Sequence, residues 1–256
     1  ALSPAPKVSL AALGRQFCEP SGWSRSMAEQ RPVRADGRPL PWFTFGAIEF
    51  LERIVRRSDR VFEYGAGYST LWWQNKVDFV SSIEHDADWV AQLRPHLAKN
   101  VCLAHIDRFA DFAVGQDAVL SVYRQRMRRT EWPDYESQKV VRRGLADDGF
   151  DSYAAATMQH DKLFDIVIVD GMARRMCCAF AVEKLEQDGI IIFDKSNRRD
   201  YDAAFDILEE AGFRQIPFWG LVPGANFMTC TSIFLRTLER LPSASHEPNS
   251  HDLPEY

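Results

Sequence analysis

Nowhere does this 256-residue chain carry an apolar run long enough to span a bilayer, and its first residues lack the basic-then-apolar profile of a secretory leader. A membrane-embedded or exported protein is therefore not expected. Cysteine is sparse. Five occur, at Cys18, Cys102, Cys177, Cys178 and Cys230, an odd number with no C-x-x-C spacing. That pattern builds neither a disulfide framework nor a metal knuckle, and it fits a reducing, cytoplasmic compartment. Positive charge is not in surplus either. With 31 Lys and Arg against 36 Asp and Glu the formal net charge is −5, so no nucleic-acid partner is expected. The one basic stretch, YRQRMRRTEW over 123–132, reads as a solvated helix face. Internal repeats are absent too, which excludes a solenoid.

What is present is a composition of ordinary globular kind, 46% hydrophobic and 26% charged, in a length suited to one α/β domain with additions. Short apolar runs of strand type recur: RVFEY, DFVSSIE, NVCLAH, FDIVIVD and GIIIFD. Helical patterns separate them, among them a segment from Thr44 with Ile48, Leu51, Ile54 and Val55 on one face, and one capped by Asp86. Runs as continuously apolar as 166–169 and 190–193 need cover on both faces, which predicts a parallel, doubly wound sheet between helix layers. Two late strands around FRQIPFWG and TCTSIFLRT, joined by the turn-rich LVPGANFM, suggest an antiparallel pair at one edge. Residues 1–40 read as an N-terminal extension, 41–240 as the main domain and 241–256 as a flexible tail. An insertion over about 108–160, with a helix near 119–132, is expected to lie over the active-site edge, the alternative being a structural flap elsewhere.

The stretch EYGAGYST, from Glu63 to Thr70, ends the first strand. Gly65 and Gly67 allow a tight turn and let a ligand lie against the main chain. The following helix offers the amides and hydroxyls of Ser69 and Thr70 to a negative group. A nicotinamide loop would read G-x-G-x-x-G, but Thr70 stands where the third glycine would be. Glu63 also opposes a pyrophosphate. A carboxylate there suits a ligand bearing ammonium and sulfonium charge, as S-adenosyl-L-methionine does. Glu84, nineteen residues after Gly65, closes the second strand where an acid can accept ribose hydroxyls.

Together, VFEYGAGYSTLWW, SSIEHDADWV, FDIVIVDG, GIIIFDKSNRRDY and TSIFLR resemble class I S-adenosylmethionine-dependent methyltransferases, and most of all a bacterial subgroup with an E-Y-G-x-G-x-S-T-x-W-W loop. The likeness runs from Pro41 to Arg236. It implies a Rossmann-like seven-stranded sheet of order 3-2-1-4-5-7-6 with the last strand antiparallel. It also implies Glu63, Gly65 and Gly67 at the methionine end of the cofactor and Glu84 on the ribose. The full set of candidate cofactor contacts is Glu63, Tyr64, Gly65, Ala66, Gly67, Ser69, Thr70, Glu84, His85 and Asp170.

Methyl transfer to a hydroxyl needs alignment and a proton acceptor. Asp170 and Asp194, ending the fourth and fifth strands, are placed for it, with Asp170 the first choice as base. In metal-dependent relatives resembling catechol O-methyltransferase, acids at these two ends and an asparagine hold magnesium. Lys195 stands in the asparagine's place and has no lone pair for a metal, so a metal-free site is expected. With a lowered pKa Lys195 is a second candidate base; the plainer alternatives are an ion pair with Asp194 and, for Asp170, a helix N-cap. His85, His105 and His160 are assigned no catalysis. Trp42, Trp72 and Trp73 are read as packing, with Trp42 alternatively walling the pocket. The reaction expected is methyl transfer to an oxygen of a small-molecule or glycan acceptor; the alternatives are a non-catalytic methyltransferase-like binding module and a nicotinamide-dependent oxidoreductase.

Overall fold

A computed structural model describes residues 14–110 and 149–241. A short helix α1 (Trp23–Glu29) precedes α2 (Phe45–Ile54), and then strand and helix alternate. The order is β1 (Arg60–Tyr64), α3 (Tyr68–Trp73), β2 (Phe79–Glu84), α4 (Ala87–Leu93) and β3 (Val101–His105). After the excursion come α5 (Asp151–Ala154), β4 (Phe164–Val169), α6 (Arg174–Glu183), β5 (Leu185–Asp194), α7 (Asp202–Glu210), β6 (Arg214–Leu221) and β7 (Met228–Leu235). The seven strands form one sheet in the order β3-β2-β1-β4-β5-β7-β6. The first five are parallel, and β7 runs antiparallel to both β5 and β6. This is the expected Rossmann-like architecture.

The central strands are apolar on both faces because each face meets its own helix layer. Val61, Ile166, Ile168, Ile190, Ile192 and Ile233 point to the layer holding α2, where Ala47, Ile48, Leu51 and Ile54 are buried with Trp72 and Trp73. Phe62, Tyr64, Val167, Val169, Ile191 and Phe193 point the other way, into a core with α6 and α7. Thr44 does precede α2, but its hydroxyl does not cap the helix; Oγ1 donates to the Phe218 carbonyl at 3.1 Å. Its amide donates to Thr231 Oγ1 at 3.0 Å. A hydroxyl beside the sheet meets the nearer acceptor on β6, and so ties the helix start to the β6–β7 pair.

The strand order reverses between β1 and β4, so the loops beyond their carboxyl ends open a crevice there. The long excursion leaves and returns near this edge. The Phe109 amide donates to Gly149 O, and Ser152 Oγ donates to Ala110 O, at 2.6 Å each. Within the last part of the expected insertion, Ser152, Tyr153, Ala154, Ala155 and Thr157 are buried. The helix expected near 119–132, the basic run and nearly all of the tail lie outside the described residues. Among the described residues no helix is long and apolar enough to cross a membrane.

Candidate functional site

The loop after β1 is fixed by main-chain bonds. The amides of Gly65 and Ala66 both donate to Ile83 O on β2, at 3.0 and 3.1 Å. Trp89 Nε1 of α4 donates to Ala66 O at 2.8 Å. Gly65 has φ +91°, and a Cβ there would lie 2.7 Å from Gly171 Cα and 2.8 Å from its nitrogen. Its positive φ fits the expected tight turn, and the loop after β4 leaves no room there for a Cβ. Gly67 is different. Its backbone is extended, and an added Cβ would meet nothing nearer than the Trp89 ring at 3.9 Å. No packing within the described protein requires glycine at 67.

Glu63, on β1 beneath this loop, is fully buried. Ser69 Oγ and Ser82 Oγ donate to its carboxylate at 2.5 and 2.7 Å, and Thr70 Oγ1 donates to it as well. Thr70 Oγ1 also accepts from the Gly67 amide at 2.9 Å. Burial pushes the Glu63 carboxyl up to about 7; the three hydroxyls oppose that shift and the charge of Asp170 adds to it. Ser69 and Thr70 thus turn their hydroxyls inward to Glu63 and not outward, and the Glu63 side chain is closed off from solvent. Tyr64 is likewise turned away. Its hydroxyl donates to Ala154 O at 2.6 Å in the core, while its carbonyl accepts from the Asp170 amide at 3.1 Å.

At the end of β2, Glu84 Oε1 accepts the amides of His85 and Asp86 at 2.8 and 2.9 Å. Among the described residues, its second oxygen takes no hydrogen bond. One oxygen thus fixes the carboxylate and leaves the other available. Asp86 caps α4 as expected, accepting from the Trp89 amide at 3.0 Å. The His85 ring is 38% exposed and sits edge-on to Phe150 and Tyr153.

The ends of β4 and β5 carry the charged part of the site. Asp170 does not cap α6, whose first turn has no side-chain cap. Its Oδ1 instead accepts from Arg174 at 2.8 Å and Lys195 at 3.3 Å. Lys195, at φ +55°, also donates to Asp194 Oδ2 at 2.7 Å, and Thr231 Oγ1 donates to Asp194 Oδ1 at 2.8 Å. Burial disfavours the Lys195 charge, but Asp170 and Asp194 together outweigh it and hold the ammonium above the usual lysine range. That direction runs opposite to the lowered pKa a lysine base would need. Lys195 is also more than a surface partner of Asp194, since it bridges both acids. Burial raises the carboxyl of Asp194, with the charge of Asp170 adding to the effect.

Arg174, which the sequence reading overlooked, joins the two strand ends. It donates to the carbonyls of Asp170, Gly171 and Asp194 at 2.7, 2.9 and 2.5 Å. Its i, i+4 spacing from Asp170 was the available signal. His105 Nε2 lies 3.1 Å from His85 O, and His160 packs on Phe62 and Phe164. Trp72 and Trp73 are buried as expected, whereas Trp42 is 47% exposed and is not a core residue.

No family model and no curated protein matches this chain. Solved structures of similar topology include a methyltransferase-like protein from Silicibacter pomeroyi, 19% identical, covering 77% of this chain and 89% of that one with a TM-score of 0.46. A precorrin-6y C5,15-methyltransferase from Geobacter metallireducens is 14% identical over 73% of this chain and 85% of its own, with a TM-score of 0.44. The N-methyltransferase NodS from Bradyrhizobium japonicum is 11% identical over 73% and 92%, with a TM-score of 0.41. At these values the fold assignment rests on the strand order itself.

Proposed function

We propose that the chain is an S-adenosylmethionine-dependent methyltransferase acting by direct displacement on an oxygen of a small-molecule or glycan acceptor. The observation that carries this reading is Glu63. It is a fully buried carboxylate under the glycine loop with three hydroxyl partners, and no cation hydrogen-bonds to it among the described residues. Such a charge repels a diphosphate laid on the loop and favours a cationic ligand.

The open flank of Gly67 supports the fit, because it leaves space for the amino-acid end of the cofactor. The spare oxygen of Glu84 suits a ribose diol. Asp170, whose Oδ2 takes no hydrogen bond among the described residues, serves as proton acceptor for the attacking hydroxyl, and Arg174 and Lys195 hold its other oxygen. The cofactor, when bound, supplies the electrophilic methyl group. Magnesium does not fit, since the Lys195 ammonium already lies between the two acids that would hold it. No step is routed through a metal, and turnover is expected to be unchanged by EDTA in a discontinuous methyl-transfer assay.

Two experiments follow. S-Adenosylhomocysteine at about a hundred times its Kd should stabilise the protein by about 2.7 kcal/mol in thermal unfolding, and NADH should not. Gly67→Ala should change stability of the free protein by no more than about 0.5 kcal/mol while weakening S-adenosylhomocysteine binding in calorimetry. Unchanged affinity would remove Gly67 from the binding surface.

A further inference from the structure

Resting on the reading above, we propose that Glu63 is a proton-coupled positioning residue: a cationic cofactor on the loop above it drives a proton off its carboxyl, so binding discriminates the sulfonium substrate from its neutral product through pH. The geometry supplies the coupling. In the ionised form all three hydroxyls donate to Glu63, and Thr70 Oγ1 simultaneously receives the Gly67 amide, so one carboxylate orders both the loop and the start of α3. A protonated carboxyl brings an O–H that needs an acceptor. One of Ser69, Thr70 or Ser82 must then accept from the carboxyl and turn its own proton to another acceptor, so the pattern of donors that orders the loop and the start of α3 changes.

The surroundings make the balance depend on a ligand. From β2 the group facing Glu63 is Ser82, and from α3 they are Ser69 and Thr70; the register neighbour on β4 is Ile168. The charge acting on it is the carboxylate of Asp170 at the end of β4, which opposes ionisation. Arg174 and Lys195 are engaged with Asp170 and Asp194. A positive ligand over the loop therefore supplies what the described protein does not. With the carboxyl near 7, the free protein is divided between the two forms at neutral pH. S-Adenosylmethionine carries one more positive charge than S-adenosylhomocysteine, so it shifts that division further.

The test is calorimetric titration of the described protein in its full chain with S-adenosylmethionine, S-adenosylhomocysteine and the neutral 5′-methylthioadenosine. If only the ionised form accepts the cation, affinity for S-adenosylmethionine falls about tenfold from pH 8 to pH 6, and that for S-adenosylhomocysteine falls less. At pH 7, comparison of phosphate with Tris buffer should show about half a proton released per S-adenosylmethionine bound, and less with the neutral nucleoside. Glu63→Gln should abolish the difference between the first two ligands. A constant affinity ratio from pH 8 to pH 6 overturns the proposal, as does a pH dependence that persists in Glu63→Gln. Should that variant not fold, equal proton release by 5′-methylthioadenosine and S-adenosylmethionine in the natural protein overturns it. Absence of S-adenosylmethionine binding at every pH brings down the methyltransferase reading, and this one with it.

Discussion

Arg240→Met is expected to lower folding stability by about 3–5 kcal/mol. Arg240 and Asp59 are both 2% exposed, and NH1 donates to Asp59 Oδ2 at 2.8 Å. The guanidinium also lies 3.6 Å from Asp165 and 3.9 Å from Asp188, and Nε donates to Asp188 O at 3.1 Å. These acids lie at or beside the starts of β1, β4 and β5, so one residue after the last strand fastens the end of the sheet opposite the crevice. Methionine removes the cation and leaves Asp59 buried with only the Arg56 amide. Denaturant unfolding should register the loss, with a fall in Tm on the order of 10 °C. Because the clasp is remote from the glycine loop, S-adenosylhomocysteine affinity should be unaffected where the variant is folded. A stability change below about 1 kcal/mol would mean that the cluster behaves as an exposed ion pair.

Glu84→Ala is expected to weaken cofactor binding by an order of magnitude or more, since hydrogen bonds to a charged group contribute about 1.5–3 kcal/mol. The amides of His85 and Asp86 hold Oε1 and orient the carboxylate, so under the proposed function its second oxygen is already ordered to receive a ribose diol. Glu84→Gln should recover part of the affinity, because it keeps one acceptor and loses the charge. The loss should appear with adenosine-containing ligands generally, including 5′-methylthioadenosine, because the ribose is common to them. Calorimetry on the folded variant, with unfolding as a control, separates this from damage to β2. Unchanged affinity would remove Glu84 from the ribose.

The topology was legible because it follows from local signals. The runs 166–169 and 190–193 are apolar at every position and fit strands covered on both faces, and the turn-rich segment before Met228 marks the antiparallel pair. The candidate site was legible in its residue types and less so in their roles. Gly65 and Gly67 look alike in sequence, yet a Cβ at the first would collide with Gly171, 106 residues away, while one at the second would meet only ordinary contact with Trp89. Thr44, Ser69 and Thr70 occupy helix starts as read, but their hydroxyls find stronger or nearer acceptors in Phe218 O and Glu63. Lys195 is a cation held by two acids because β4 and β5 are neighbours, a fact of pairing that no local pattern carries. Trp42, apolar in composition, stays exposed because Phe43 takes the core position beside it.

The central claim is that a glycine bend above a buried carboxylate, with no cation bonded to it among the described residues, accepts a sulfonium nucleoside and refuses a dinucleotide. Calorimetric titration of one preparation with S-adenosylmethionine and then with NADH tests it most directly. The account predicts saturable one-to-one binding of S-adenosylmethionine and no heat beyond dilution with NADH. Saturable binding of NADH, with S-adenosylmethionine left in solution, would contradict it.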